Sequence, residues 1–505
     1  MGLLARVLGA VDRLSRALRP GDSLAERTAT GGVWLTLLTV VDRLLRLGTF
    51  LVLARLLAPA EFGLLGVGLV VLAVVRRLSR LGLDEALIQH RDDDVDAYLD
   101  TTLALTAARG VAIAALVVLT APAVAAAFGQ PRLTPVLRVL ALSPLVAGFR
   151  NPGVVYFRKE LAFDKQFWYT ISGTVAHVVV AVAVALALRN VWALVAAAVA
   201  STLVRTLVSH AVHGYRPGLG FDPAAARELL GFGKWIFGSG VVLLLLNRGD
   251  DALVGWLLGA TSLGLYQMAF RLSNAPATEV THVVARVTFP AFSEVQDDPV
   301  RLREGFFRTV RVVTAVAFPM AVGVAVVAPV FVPSVLGPTW TPMVPAMRIL
   351  ALWGTLRALV AVVGPLFQAV GKPQYSTALQ TLRFAIVVSA IYPAAVRWGI
   401  AGVAGVLVAS AVVQNPVALA VALRVVDGSP VRFVGTVAVP AAAAVTMGLT
   451  VAAVGTALPA LPGLLSLSLL VALGVVVYPL LLFVVGNAVG LGLDDDIAVV
   501  RDALS

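Results

Sequence analysis

Residues 135–142, PVLRVLAL, return at 345–352 as PAMRILAL. Pro, Arg and the closing Leu-Ala-Leu keep their places over an offset of about 210 residues, and the remaining positions exchange one apolar residue for another. Each copy lies in an apolar segment, about 134–157 and about 342–369. A run of about 20 such residues crosses a ~30 Å hydrocarbon core at about 1.5 Å per residue. Two further echoes flank the pair. ARLLAPAEFGL (54–64) reappears as GWLLGATSLGL (255–265), about 201 residues on, and Val199-Ala-Ser201 as Val408-Ala-Ser410, about 209 on. One echo means little in a chain rich in Ala, Leu and Val. Three in the same order at nearly one offset point to a duplicated unit of six spans. A repeat in the same orientation relates two bundles by an axis along the membrane normal, as in transporters that hold substrate between halves and rock.

Composition agrees. Of 505 residues, 59% are hydrophobic and 13% charged, and mean hydropathy is +0.93, whereas a soluble chain carries about 25% charged residues. The apolar content is spread as separated runs of about 20, not as the 9–11-residue alternating strands of a barrel. The expected fold is therefore an all-α integral membrane protein of about 14 transmembrane helices. The N-lobe (31–213) and C-lobe (230–425) hold six spans each, joined by a linker at 214–229, with two further spans in 426–490. Residues 1–30 read as a basic amphipathic segment on the anionic inner leaflet, with Arg6, Arg13, Arg16 and Arg19 at helical spacing, or as a solvated tail; residues 491–505 form a second tail. Lys and Arg concentrate in alternate short loops (Arg158, Lys159, Lys165, Arg216, Arg227, Arg301, Arg303, Lys372, Arg424, Arg432). That bias places both termini in the cytoplasm of a cell whose plasma membrane the chain crosses.

Several classes fall away. Cys is absent, so thiolate chemistry and Cys-based metal sites are excluded. No P-loop or GxSxG elbow is present, and Gly66 and Gly68 lack the third Gly of a dinucleotide loop. His177, His210, His213 and His282 are scattered without ligand spacing and read as packing. The net charge of +11 sits at membrane edges and within spans, so nucleic acid is not the expected partner. No enzyme and no cofactor is expected, beyond a proton or sodium ion for coupling.

The chain resembles the Wzx-type polysaccharide and oligosaccharide flippases of the multidrug/oligosaccharidyl-lipid/polysaccharide exporter superfamily. The likeness is carried by LARLLAPAEFGLLGVGLVVLAV (53–74), GLDEALIQ (82–89), FRKELAFDKQF (157–167), the YRP turn (215–217), the stretch from Gly249 to Arg303 and TPMVPAMRILALWG (341–354). It implies two lobes around a central cavity and movement of a lipid-linked sugar from the inner to the outer leaflet. The carrier would be a polyprenyl or dolichyl phosphate or pyrophosphate, and glycan polymerase or ligase machinery would act downstream. Such a headgroup cannot cross hydrocarbon bare; it needs a wet cationic chamber, for which Arg is suited by permanent charge and bidentate grip on phosphate.

Arg does occur within the spans. Arg43 and Arg46 lie on one face of the first, Arg76, Arg77 and Arg80 in the second, Arg248 in the seventh and Arg271 in the eighth. For each, lining the cavity competes with a plainer role: Arg76, Arg77 and Arg80 as snorkelling side chains, Arg46 as the ion-pair partner of Asp42 one turn away. Arg109, Arg138, Arg348 and Arg357 are expected near span ends. Asp42, Asp250, Asp251 and Glu279 read either as ion-coupling carboxylates or as salt-bridge partners. A multidrug exporter of the same superfamily is the alternative function, and a membrane-embedded glycan polymerase or ligase a remoter one, because the outer loops are short and lack paired carboxylates.

Overall fold

A computed structural model describes residues 24–79, 95–216, 218, 220–457 and 461–489. The basic N-terminal segment and the tail after Val489 lie outside it. Every long element among these residues is a helix: α1 Leu24–Leu56, α2 Pro59–Leu78, α3 Val95–Ala127, α4 Leu133–Leu140, α5 Leu142–Gly148, α6 Phe163–Leu188, α7 Trp192–Val212, α8 Pro223–Glu294, α9 Pro299–Phe331, α10 Val344–Leu359, α11 Val363–Ala369, α12 Gln374–Val425, α13 Pro430–Ala457 and α14 Gly463–Val489. Ten helical segments among the described residues are long and apolar enough to cross a membrane. The first expected span, α1, carries Asp42, Arg43 and Arg46 in its middle. The fourth is divided between α4 and α5.

The interruptions have local causes. Ala58 is extended and Pro59 opens α2, where the N–H it lacks would be unsatisfied anyway. Pro144 cannot donate to the carbonyl of Leu140, and α4 ends there. α8 and α12 each contain one residue with non-helical backbone, Gly259 (φ +81°) and Gly399 (φ +58°). Gly259 falls between the stretches 230–258 and 261–290, each of which reads as a span, and Gly399 opens the stretch 399–423 that follows 374–396. Glycine is suited to both because no Cβ opposes positive φ.

The chain divides into two compact units, Met1–Ala252 and Leu253–Ser505, with the division inside α8. α8 begins at Pro223, inside the linker expected at 214–229. In the first unit α1, α6 and α7 pack through Leu53, Leu57, Ala181, Ala185, Ala193, Leu194 and Ala197. The fully buried alanines let the backbones approach closely, which is how membrane helices gain packing when lipid offers no hydrophobic drive. In the second unit Phe306, Phe307, Val310 and Val313 of α9 meet Leu366 and Phe367 of α11 and Ala418 and Ala422 of α12. The last two helices belong to this unit. Met447 and Val451 of α13 and Leu470 and Tyr478 of α14 pack on Phe318 of α9, and Tyr478 Oη donates to the Ala315 carbonyl at 2.7 Å.

Candidate functional site

Charges inside the first unit converge where α1, α6 and α7 meet. Asp42 and Arg46 stand one turn apart on α1, and Arg46 Nε donates to Asp42 Oδ2 at 2.7 Å. Thr174, buried on α6, donates its hydroxyl to the other Asp42 oxygen at 2.6 Å and accepts from Arg46 Nη2 at 3.3 Å. From α7, Arg205 lies across Gly173, where any Cβ would collide with its side chain. Its Nε is buried without a hydrogen-bond acceptor among the described residues. The guanidinium sits in the field of Tyr169, Arg46, Asp42 and Arg150. Among the described residues Arg46 and Arg205 thus outnumber the one carboxylate they share, and the cluster keeps a positive surplus. The expected pairing of Asp42 with Arg46 is present; Arg205 is a residue that nothing in the sequence singles out.

The other expected positions separate. Arg43 is exposed on the first unit and Arg271 on the second. Arg76 and Arg77 occupy the last turn of α2. That turn is closed by Arg109, which donates to the Arg76 carbonyl at 3.0 Å and to Ser79 Oγ at 3.2 Å. Arg109 therefore serves a helix end. Arg80 lies outside the described residues, as does the side chain of Glu279. Arg248 donates to the buried Asp251 at 3.1 Å, one turn on, which is the salt-bridge arrangement; Asp250 beside it is half-buried. Arg138 and Arg348 are exposed, the one in the last turn of the short α4 and the other near the start of α10. Arg357, expected near a span end, is half-buried in the last turn of α10, ahead of the break before α11.

Two polar knots in the first unit are likewise invisible to sequence reasoning. Glu61 accepts from Arg132 at 2.8 Å and from the backbone N–H of Val191 at 2.7 Å, so one carboxylate ties the first turn of α2 to the starts of α4 and α7. The YRP turn is held in a second. Tyr215 Oη donates to Asp100, which also accepts from Gly218 N at 2.7 Å, and the buried Asn151 donates to the Tyr215 carbonyl at 2.9 Å. An Asn before Pro and a Tyr-Arg-Pro run are turn chemistry, but their partners lie 64 and 115 residues away.

A family model described as "Polysaccharide biosynthesis protein" matches residues 52–345. The lipopolysaccharide biosynthesis protein WzxC of Escherichia coli K12 is 28% identical over 373 residues, covering 73% of this chain and 75% of that protein. The teichuronic acid biosynthesis protein TuaB of Bacillus subtilis 168 is 24% identical, covering 69% and 73%. Among solved structures, the lipid II flippase MurJ in an inward closed conformation superposes with a TM-score of 0.69 at 12% identity, covering 90% of this chain and 99% of that one. An inward-facing multidrug transporter of the MATE family gives 0.61 at 16% identity, covering 79% and 99%. At such identities the structures establish the fold, which is the helical one expected of the resemblance. The chain belongs to the polysaccharide biosynthesis protein family and is, within it, a Wzx-type membrane transport protein.

Proposed function

We propose that the chain moves a lipid-linked oligosaccharide, joined to its carrier through phosphate or pyrophosphate, from the cytoplasmic to the outer leaflet of the plasma membrane. The observation that carries this reading is the positive surplus at Asp42, Arg46, Thr174 and Arg205, in which a buried guanidinium nitrogen has no protein acceptor among the described residues. Such a group costs free energy until an acceptor arrives, and a phosphate oxygen is a suitable one. No bond of the cargo is made or broken; the cycle is alternating access, with both termini in the cytoplasm. WzxC and TuaB carry names from polysaccharide assembly and MurJ is a lipid II flippase, which supports the cargo class. Exposed Arg43 and Arg271 are further headgroup contacts in this scheme. A proton or sodium ion is the energy source, with Asp42, Asp250 and Asp251 as the carboxylates that respond.

The fold likeness to a multidrug transporter supports the second reading, export of small molecules. A cationic cluster does not suit the organic cations such a pump would take. Deletion in the native host, with mass spectrometry of lipid extracts, separates the two: a flippase leaves lipid-linked glycan accumulated and the surface bare. Arg205→Gln and Arg46→Gln should reproduce that block at normal protein abundance. Normal surface glycan in both variants would remove the cluster from the mechanism, and no accumulated glycolipid in the deletion would remove the cargo.

A further inference from the structure

The second unit contains an unassigned pair of cations. Trp353 on α10 is 4% exposed and is braced by Phe270 of α8, ring centroids 5.5 Å apart. Two guanidiniums lie over the same indole: that of Arg357, one turn along α10, at 5.5 Å, and that of Arg383 on α12 at 5.3 Å. Both arginines are half-buried. Among the described residues Arg357 Nη2 donates one long hydrogen bond, to Thr278 Oγ1 at 3.4 Å, and the guanidinium feels the like charge of Arg383.

Like charges do not gather at one ring for stability alone. Cation–π attraction draws each guanidinium to the indole, but the two repel one another, and partial desolvation weakens the screening that would let them coexist. What the arrangement favours is an oxyanion. The indole holds two planar donors at a common place, with most of the five N–H groups of Arg357 unspent among the described residues. This is also a site within one unit, built by α8, α10 and α12.

We infer that Arg357 and Arg383, posed by Trp353, form a second anion-binding site that takes an oxyanion of the glycolipid headgroup. The inference rests on the flippase reading above. The oxyanion has two sources in such a cargo, the phosphate of the carrier and the carboxylate of an acidic sugar. Because neither residue shares an element with Asp42, Arg46 or Arg205, the two sites are separable by mutation.

The test uses the full chain in nanodiscs of phosphatidylcholine, titrated with undecaprenyl pyrophosphate added to the bilayer and, separately, with pyrophosphate and with glucuronate in buffer. Arg357→Gln and Arg383→Gln should each weaken binding at least tenfold, Arg357→Lys less, and Trp353→Leu should weaken it while both charges remain. If the pyrophosphate probes carry the loss, the carrier is the source; if glucuronate alone does, the sugar is. Binding of all three probes unchanged in Arg357→Gln and Arg383→Gln overturns the inference, and if Arg205→Gln weakens binding in the same experiment the flippase reading stands without it. A wild-type chain that binds none of the probes would sink both.

Discussion

Residues 133–142 and 343–352 begin two different helices, yet position by position they are buried and exposed in the same order. Val136, Leu137, Leu140 and Ala141 are buried, as are Ala346, Met347, Leu350 and Ala351, while Pro135, Arg138 and Leu142 are exposed with Pro345, Arg348 and Leu352. The backbone keeps the same register further on. Leu161 and Gly371 have positive φ (58° and 70°), and so do Arg189 and Gly399 (48° and 58°). Both pairs are 210 residues apart, the offset of the sequence echo. The duplication has kept which positions face inward and where the chain must turn left-handed, while residue identity drifted. Differences between the copies then show what each unit has settled independently.

The clearest difference follows the shared pattern. Pro144 stands where the second unit has Gly354. The first helix stops at Leu140 and resumes at Leu142, whereas α10 runs on to Leu359. Putting Pro at 354 should impose the first unit's break on the second. It would remove an N–H in a helix interior and clash with the preceding turn, a cost of about 3 kcal/mol or more, raised further where no water can satisfy the freed carbonyl. Gly354→Pro should therefore lower the thermal midpoint more than any other change considered; a midpoint within a degree or two of the parent would mean that α10 does not depend on that hydrogen bond.

A smaller effect is expected at the crossing of α3 and α5. A Cβ on Gly148 would lie 2.7 Å from the Thr106 carbonyl oxygen and 3.1 Å from Ala107 Cα, both backbone atoms that cannot swing aside. The matching residue of the second unit is Ala358, fully buried with its methyl accommodated. Gly148→Ala should cost about 1–3 kcal/mol by overpacking, whereas Ala358→Gly should cost about 1 kcal/mol through helix propensity. Equal losses at the two sites would show that the crossings are as close as one another.

The left-handed turns give opposite signs. A methyl added at Gly399 would meet nothing within 4 Å, so Gly399→Ala tests backbone strain alone; with φ +58° and ψ −143° its backbone lies in a region open essentially to glycine, and the change should destabilise by about 1–3 kcal/mol. Arg189 lies in the left-handed α region, φ 48° and ψ 39°, so Arg189→Gly relieves a lesser strain of about 1 kcal/mol and should stabilise by that amount, less the greater chain entropy that Gly brings to the unfolded state. Chemical denaturation of the two variants side by side checks the pair. Matching signs would break the equivalence of the turns.

What could be read from sequence was whatever is local or repeated. Pro59 marks a helix start, Gly259 falls between two apolar runs, and the three echoes in one order at nearly one offset together show the duplication. The Asp42–Arg46 pair was readable because i,i+4 neighbours on a helix meet. Arg205 was not. Its depth in α7 was visible, but the glycine it lies across and the carboxylate whose field it shares are 32 and 163 residues away, and no spacing rule connects them. Arg357 illustrates the same limit: Trp353 one turn earlier was legible as a neighbour, and Arg383 from another helix was not.

The smallest effect concerns the ends of α7 and α12. At the 210-residue offset His213 corresponds to Leu423, which is buried in the second unit's core. His213 is half-buried, and its Nδ1 accepts the backbone N–H of Tyr215 at 3.1 Å. Burial pushes its pKa below the ordinary 6.5, and the charges of Lys165 and Arg216 act the same way, against Glu160. A histidine whose folded pKa is depressed takes up its proton more readily when unfolded. Its stabilising share is whole above about pH 6.5 and drains away as pH falls toward the folded value. Protonation would also cost the Tyr215 hydrogen bond its acceptor. The thermal midpoint of the parent should drop on acidification from pH 7.5 to 5.5, and His213→Gln, which keeps an acceptor but cannot titrate, should flatten that drop. If His213→Gln follows the parent curve, the acid sensitivity belongs to other groups, and the two helix ends differ in side chain without differing in response to pH.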